Sequence, residues 1–117
     1  MAVQALGREE LISEIEQFMR RVGVQEAIIY GSRARGDCLR TSDVDLMLIS
    51  PRFEGTRPHR RLPALHEKWD PSLPFLEVLA YTPEEFERAR KQLGIERIAH
   101  EEGIRITVDL DEEHEAT

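Results

Sequence analysis

The stretch from Ala27 to Ser50 constrains the fold most tightly, because it sets two short apolar runs on either side of a charged connection. Ala27-Ile28-Ile29-Tyr30 is rich in β-branched residues and stops at Gly31, the pattern of a buried strand running into a turn. Asp43 to Ser50, DVDLMLIS, is apolar on both alternating faces apart from its two aspartates and is closed by Pro51. It predicts a second strand, covered on both faces and therefore central in a sheet.

Helices and further strands are predicted around this pair. Leu11, Ile15, Phe18, Met19 and Val22 recur at helical spacing between Arg8 and Val22, with Gly23 where the helix would stop. Ser32 is placed to cap a short helix over Ser32-Arg33-Ala34-Arg35. Pro63 to Trp69 reads as a short helix with proline in its first turn. Phe75 to Tyr81 is a third strand, interrupted by Glu77, and Thr82-Pro83-Glu84-Glu85 opens a helix through an N-cap, a first-turn proline and early acids. Gly94 separates that helix from another over Ile95 to Glu102, and a last strand follows from Ile104 to Leu110. This order predicts an α/β (α+β) fold, a short mixed β-sheet packed with helices. A conventional dinucleotide fold is disfavoured, because no G-x-G-x-x-G follows the first strand.

With 117 residues, one domain over 1–110 is expected, followed by a disordered acidic tail over 111–117. A net charge of −7 disfavours extended binding to a phosphate backbone. No apolar stretch is long enough to span a bilayer, and the N-terminus lacks a secretory pattern, so the cytoplasm is the expected location. A single cysteine, Cys38, forms no internal disulfide, and His59, His66, His100 and His114 show no metal-ligand spacing. Trp69, with Leu62 and Leu65, reads as core.

The chemistry lies in Tyr30 to Ser50, where Gly31-Ser32 is followed, after ten residues, by Asp43-x-Asp45. Gly31 lets the backbone turn sharply and approach a ligand closely. The helix start after it offers N–H donors to phosphate, and Arg33 or Arg35 can add charge-assisted contacts unless both are simply solvated. Asp43 and Asp45, two apart on a strand, project from one face and suit Mg²⁺, which takes one or two carboxylates alongside substrate phosphates. Glu77, amid apolar neighbours, is an acid costly to bury without a cation or donor, and so is the best third carboxylate if its strand lies beside the second.

These residues resemble the nucleotidyltransferase superfamily that includes DNA polymerase beta, and specifically its minimal branch, the partners of HEPN proteins. Gly31, Ser32, Asp43 and Asp45 match that family's Gly-Ser, ten residues, Asp-x-Asp, and Glu77 fills the slot of its third acid. FLEVLAYTPEEFE and IERIAHEEGIRI resemble its third strand and following helix, and its closing helix and strand. The third acid of the family is often Asp, and Glu77 reaches one methylene further. The resemblance implies two Mg²⁺ ions held by Asp43, Asp45 and Glu77, and ATP as donor. It further implies transfer of AMP to a tyrosine of a HEPN ribonuclease, the minimal enzyme acting as antitoxin. A second expectation is a binding antitoxin that neutralises the HEPN partner by occlusion without catalysis. A third is an enzyme modifying a small molecule, although such relatives generally carry an added helical domain. A homo-oligomer is left open.

Overall fold

In the computed structural model, residues 4–110 are described. The expected tail over 111–117, with His114, lies outside them. The chain forms α1 (Arg8–Val22), β1 (Glu26–Tyr30), α2 (Ser32–Arg35), β2 (Val44–Ile49), a 3-10 turn (Pro51–Phe53), α3 (Pro58–His66), β3 (Leu76–Tyr81), α4 (Pro83–Ala89), α5 (Ile95–Glu102) and β4 (Ile104–Thr107). The four strands lie in the order β3-β2-β1-β4, with β2 inside the sheet as its two apolar faces predict. β1 runs antiparallel to both β2 and β4, and β2 runs parallel to β3, so the sheet is mixed.

Alternation along β2 divides the core. Val44, Leu46 and Leu48 join Leu11, Ile15 and Phe18 of α1, and Leu65 of α3, on one sheet face. Met47 and Ile49 join Ile28, Phe86 of α4 and Ala99 of α5 on the other. Trp69 is core, as expected: it meets Phe18 edge to face at 5.4 Å, and its indole N–H donates to the Pro74 carbonyl at 3.0 Å. α1 opens with Glu10 accepting from the Gly7 N–H at 2.9 Å and closes at Gly23, whose φ of 71° is left-handed.

One helix is displaced from its predicted position. α3 begins at Pro58 rather than Pro63 and ends before Trp69, which follows in a turn. Pro58 takes the first-turn position, where a missing N–H costs nothing, and Pro63 falls within the helix on its exposed side. Tertiary bonds hold this imperfect helix to β3. Arg61, with 3 % of its side chain exposed, donates to the carbonyls of Thr56 and Ala80 and to both oxygens of Glu85, at 2.6 and 3.1 Å. Glu85 also completes the capping box of α4 with Thr82.

Glu85 therefore joins α3 to the start of α4 through one carboxylate, while Arg61 carries the link on to β3. The Arg61 guanidinium first, and the Thr82 donors after it, hold its pKa down at about 2, against an ordinary 4.5. Its stabilisation is fully present above about pH 4.5 and is lost as pH falls through about 2. Glu85→Gln is expected to cost about 3 kcal/mol at pH 7, because it leaves the Arg61 charge buried without its partner. The difference from wild type should shrink progressively below about pH 4.5. Urea unfolding of both proteins across pH 3 to 7 checks this.

Candidate active site

Strand register builds the site. Tyr30 at the end of β1 is opposite Asp45 near the start of β2, and Asp45 is opposite Glu77 near the start of β3. Residues opposite one another in a ladder share a sheet face, so Tyr30, Asp45 and Glu77 form a row across three strands. The adjacency of β2 and β3, assumed in the sequence reading of Glu77, is present. Glu77 is nevertheless exposed rather than buried. It lies at the open end of an edge strand, where the row meets solvent.

Gly31 and Asp45 require one another. Gly31 has φ 74° and ψ −150°, outside the regions ordinary residues adopt. A Cβ on Gly31 would overlap Oδ2 of Asp45. The glycine thus supplies both a backbone conformation and the space the carboxylate occupies. Ser32 does not cap α2 as predicted: it is the first helical residue, Gly31 holds the capping position, and no side-chain cap forms. The opening amides of this one-turn helix still lack intrahelical acceptors.

Asp45 is pushed up to about 6 from an ordinary 3.8. Burial is the largest cause, followed by a hydrogen bond and charge repulsion from Glu77 and by the charge of Asp43; Arg35 opposes them. Burial first, then Asp45, Glu77 and Glu96, push the Tyr30 phenol up to about 12, so it stays protonated. Behind it, the Tyr81 hydroxyl donates to Glu96 at 2.8 Å. This face concentrates negative charge with little to balance it.

The donor set fits a hard cation. Asp45 and Glu77 lie opposite one another on adjacent strands and repel, and a divalent ion between them would relieve that repulsion. Asp43 stands just before β2 and is exposed, acting on Asp45 through its charge. Among the described residues, no group of three or more His, Cys, Asp or Glu side chains converges closely enough to hold an ion without side-chain movement.

The two arginines part company. Arg33, expected at the phosphate, is buried and donates to the carbonyls of Leu6 at 3.0 Å, Arg40 at 2.9 Å and Ser42 at 2.7 Å. Those bonds tie the connection before Asp43 to the N-terminal segment, so Arg33 positions that loop rather than a triphosphate. Arg35 remains exposed, paired at 3.0 Å with Asp37, and close enough to lower the Asp45 pKa. It lines a small recess with Tyr30, Gly31, Ala34, Ile98 and Glu102. Tyr30 is the site residue that went unremarked in the sequence; its signal is the alternation that puts position 30 on the face of the acids. Two of the described histidines serve elsewhere: His66 bonds the Leu76 carbonyl, and His100 lies beside Arg90 and Arg105.

A family model described as nucleotidyltransferase domain matches residues 12–106, a span that includes Gly31, Ser32, Asp43, Asp45 and Glu77. A crystal structure from Sulfolobus solfataricus, of a protein assigned to the nucleotidyltransferases, superposes with a TM-score of 0.56 at 21% identity, covering 69% of this chain and 75% of that one. At that identity the likeness is one of fold. No functionally curated protein matches the chain. No helix among the described residues is long and apolar enough to cross a membrane.

Two outcomes follow from the crowding around Asp45. Because its folded pKa is raised, Asp45 favours folding at low pH and costs stability as pH rises from about 3.8 through about 6. Asp45→Asn is expected to raise unfolding stability at pH 7 by about 1 kcal/mol after allowance for solvent screening, with the gain disappearing below about pH 4. Denaturant unfolding at both pH values checks it. Gly31→Ala should do the opposite, costing about 1–3 kcal/mol in backbone strain and displacing Asp45, with nucleotidyl transfer falling about 100-fold in a nucleotide-incorporation assay.

Proposed function

Since the chain belongs to the nucleotidyltransferase domain family, we propose that it transfers AMP from ATP to a protein acceptor, a tyrosine of a HEPN-domain ribonuclease, and so acts as its antitoxin. The observation that carries the reaction class is the Asp45–Glu77 register beside Gly31, which sets paired acids against a backbone turn open to phosphate. Asp45 and Glu77, with Asp43 after a side-chain rotation, would hold Mg²⁺. When bound, Mg²⁺ supplies charge neutralisation for the triphosphate and activation of the attacking oxygen.

The residues of the chain do the rest. The first amides of α2 and the guanidinium of Arg35 are placed to orient triphosphate oxygens. Gly31 keeps that backbone close to Asp45. Arg33 holds the connection that delivers Asp43. Glu77, exposed at the outer end of the row, is the carboxylate best placed to accept the proton of an incoming hydroxyl.

A protein acceptor is supported by the surface beside the site. Ile98, 51% exposed, lines the same recess as Tyr30 and Arg35, and Leu93 and Ile95 leave further apolar surface exposed on that stretch of chain. Such a rim suits a polypeptide better than a phosphate backbone, which the net charge of −7 also repels. A cytoplasmic setting, where ATP and Mg²⁺ are at hand, belongs to the same proposal.

The intact mass of the HEPN partner, incubated with this protein, ATP and Mg²⁺, tests the proposal. Wild type should add AMP units, and the Asp43→Asn, Asp45→Asn double variant should lower the rate by at least about 100-fold. A partner neutralised equally well by the double variant, with no change in mass, would overturn it in favour of inhibition by occlusion.

A further inference from the structure

On the sheet face opposite the carboxylates, a half-enclosed cavity of about 220 Å³ opens between the start of α1 and the loop after α2. Leu6, Leu11, Ile29 and Ile104 give it an apolar floor. The other lining residues include Arg8, Arg33 and Arg40, and none of the described lining residues is acidic.

Arg33 is the informative member. A guanidinium carries five N–H donors, and four of them are taken by the carbonyls of Leu6, Arg40 and, twice, Ser42. One hydrogen on Nη1 is left over, and among the described residues the positive charge has no carboxylate partner although the residue is only 6% exposed. Carbonyl dipoles satisfy hydrogen bonds but leave the charge uncompensated, and a buried cation gains most from an anion nearby. Arg8 spends one bond on the Ala34 carbonyl and stands beside the cavity with Arg40. Close by, the Glu10 carboxylate is turned to the Gly7 N–H.

We propose that this cavity binds a small monocarboxylate with a short aliphatic body. The volume lies below the roughly 300 Å³ at which pockets for drug-sized ligands begin, which keeps the body short. A single negative charge suits a site whose floor is apolar, since a doubly charged phosphate loses more hydration on entry. The two oxygens of a carboxylate can divide between the single free hydrogen of Arg33 and the exposed guanidinium of Arg8 or Arg40. The inference concerns the face away from the acids and stands apart from the transfer reaction.

Cys38, the single cysteine of the chain, is half-buried and lines the cavity, so its alkylation reports occupancy. The rate of iodoacetamide addition, followed by intact mass, should fall about fivefold as hexanoate saturates the native protein at low millimolar concentration. Acetate, which lacks the body, and 1-hexanol, which lacks the charge, should each need at least about tenfold more to give the same protection. An Arg8→Gln, Arg40→Gln variant should require about tenfold more hexanoate than wild type, with its unfolding transition checked alongside. Absence of saturable protection by hexanoate up to about 10 mM, or equal protection by 1-hexanol, overturns the proposal. The native-chain comparison decides the matter even where the variant fails to fold.

Discussion

β2 is hydrogen-bonded on both edges, antiparallel to β1 and parallel to β3, and the rest of the molecule is arranged around that double pairing. The opposed directions bring the end of β1 and the starts of β2 and β3 to one end of the sheet. Tyr30, Asp45 and Glu77 then fall in line without any loop having to place them. The same strand sends Val44, Leu46 and Leu48 into one core and Met47 and Ile49 into the other, so the apolar residues that bury it also aim its aspartate outward. An acid on so constrained a strand cannot retreat from its neighbours, and the raised Asp45 pKa is the electrostatic result.

Two arginines do for the loops what pairing does for the strands. Arg33 gathers Leu6, Arg40 and Ser42 through their carbonyls, and Arg61 gathers Thr56, Ala80 and Glu85. Each replaces hydration of buried backbone with a planar cation whose donors point several ways at once. Arg61 is balanced by a carboxylate, and among the described residues Arg33 is held by carbonyls alone.

Most of the strands and helices were legible because they are written in apolar periodicity; Asp45 lies on β2, and Asp43 stands just before that strand rather than on it. What was not legible was the part governed by distant contacts. The charge of Arg33 suggested a phosphate ligand, since nothing local announces that three carbonyls elsewhere in the chain need a donor. Glu77 read as a buried acid from its apolar neighbours, whereas edge position and the open end of the sheet leave it exposed. The start of α3 was misplaced because two prolines, Pro58 and Pro63, each suit a first turn, and only the bonds of Arg61 to β3 and α4 favour the longer helix.

The parallel pairing of β2 with β3 has a kinetic consequence. The chain from Ser50 to Phe75 must cross over the core, forming α3 on the way, before β3 can align. Closing that long connection is a non-local event, slower than the local contacts that join β1 to β2. Gly31 and Asp45 can therefore meet early in folding, while Glu77 arrives only with the crossover. The row of acids is therefore assembled in two steps, and the still more distant pairing of β4 with β1, from Glu26 to Thr107, adds nothing to it.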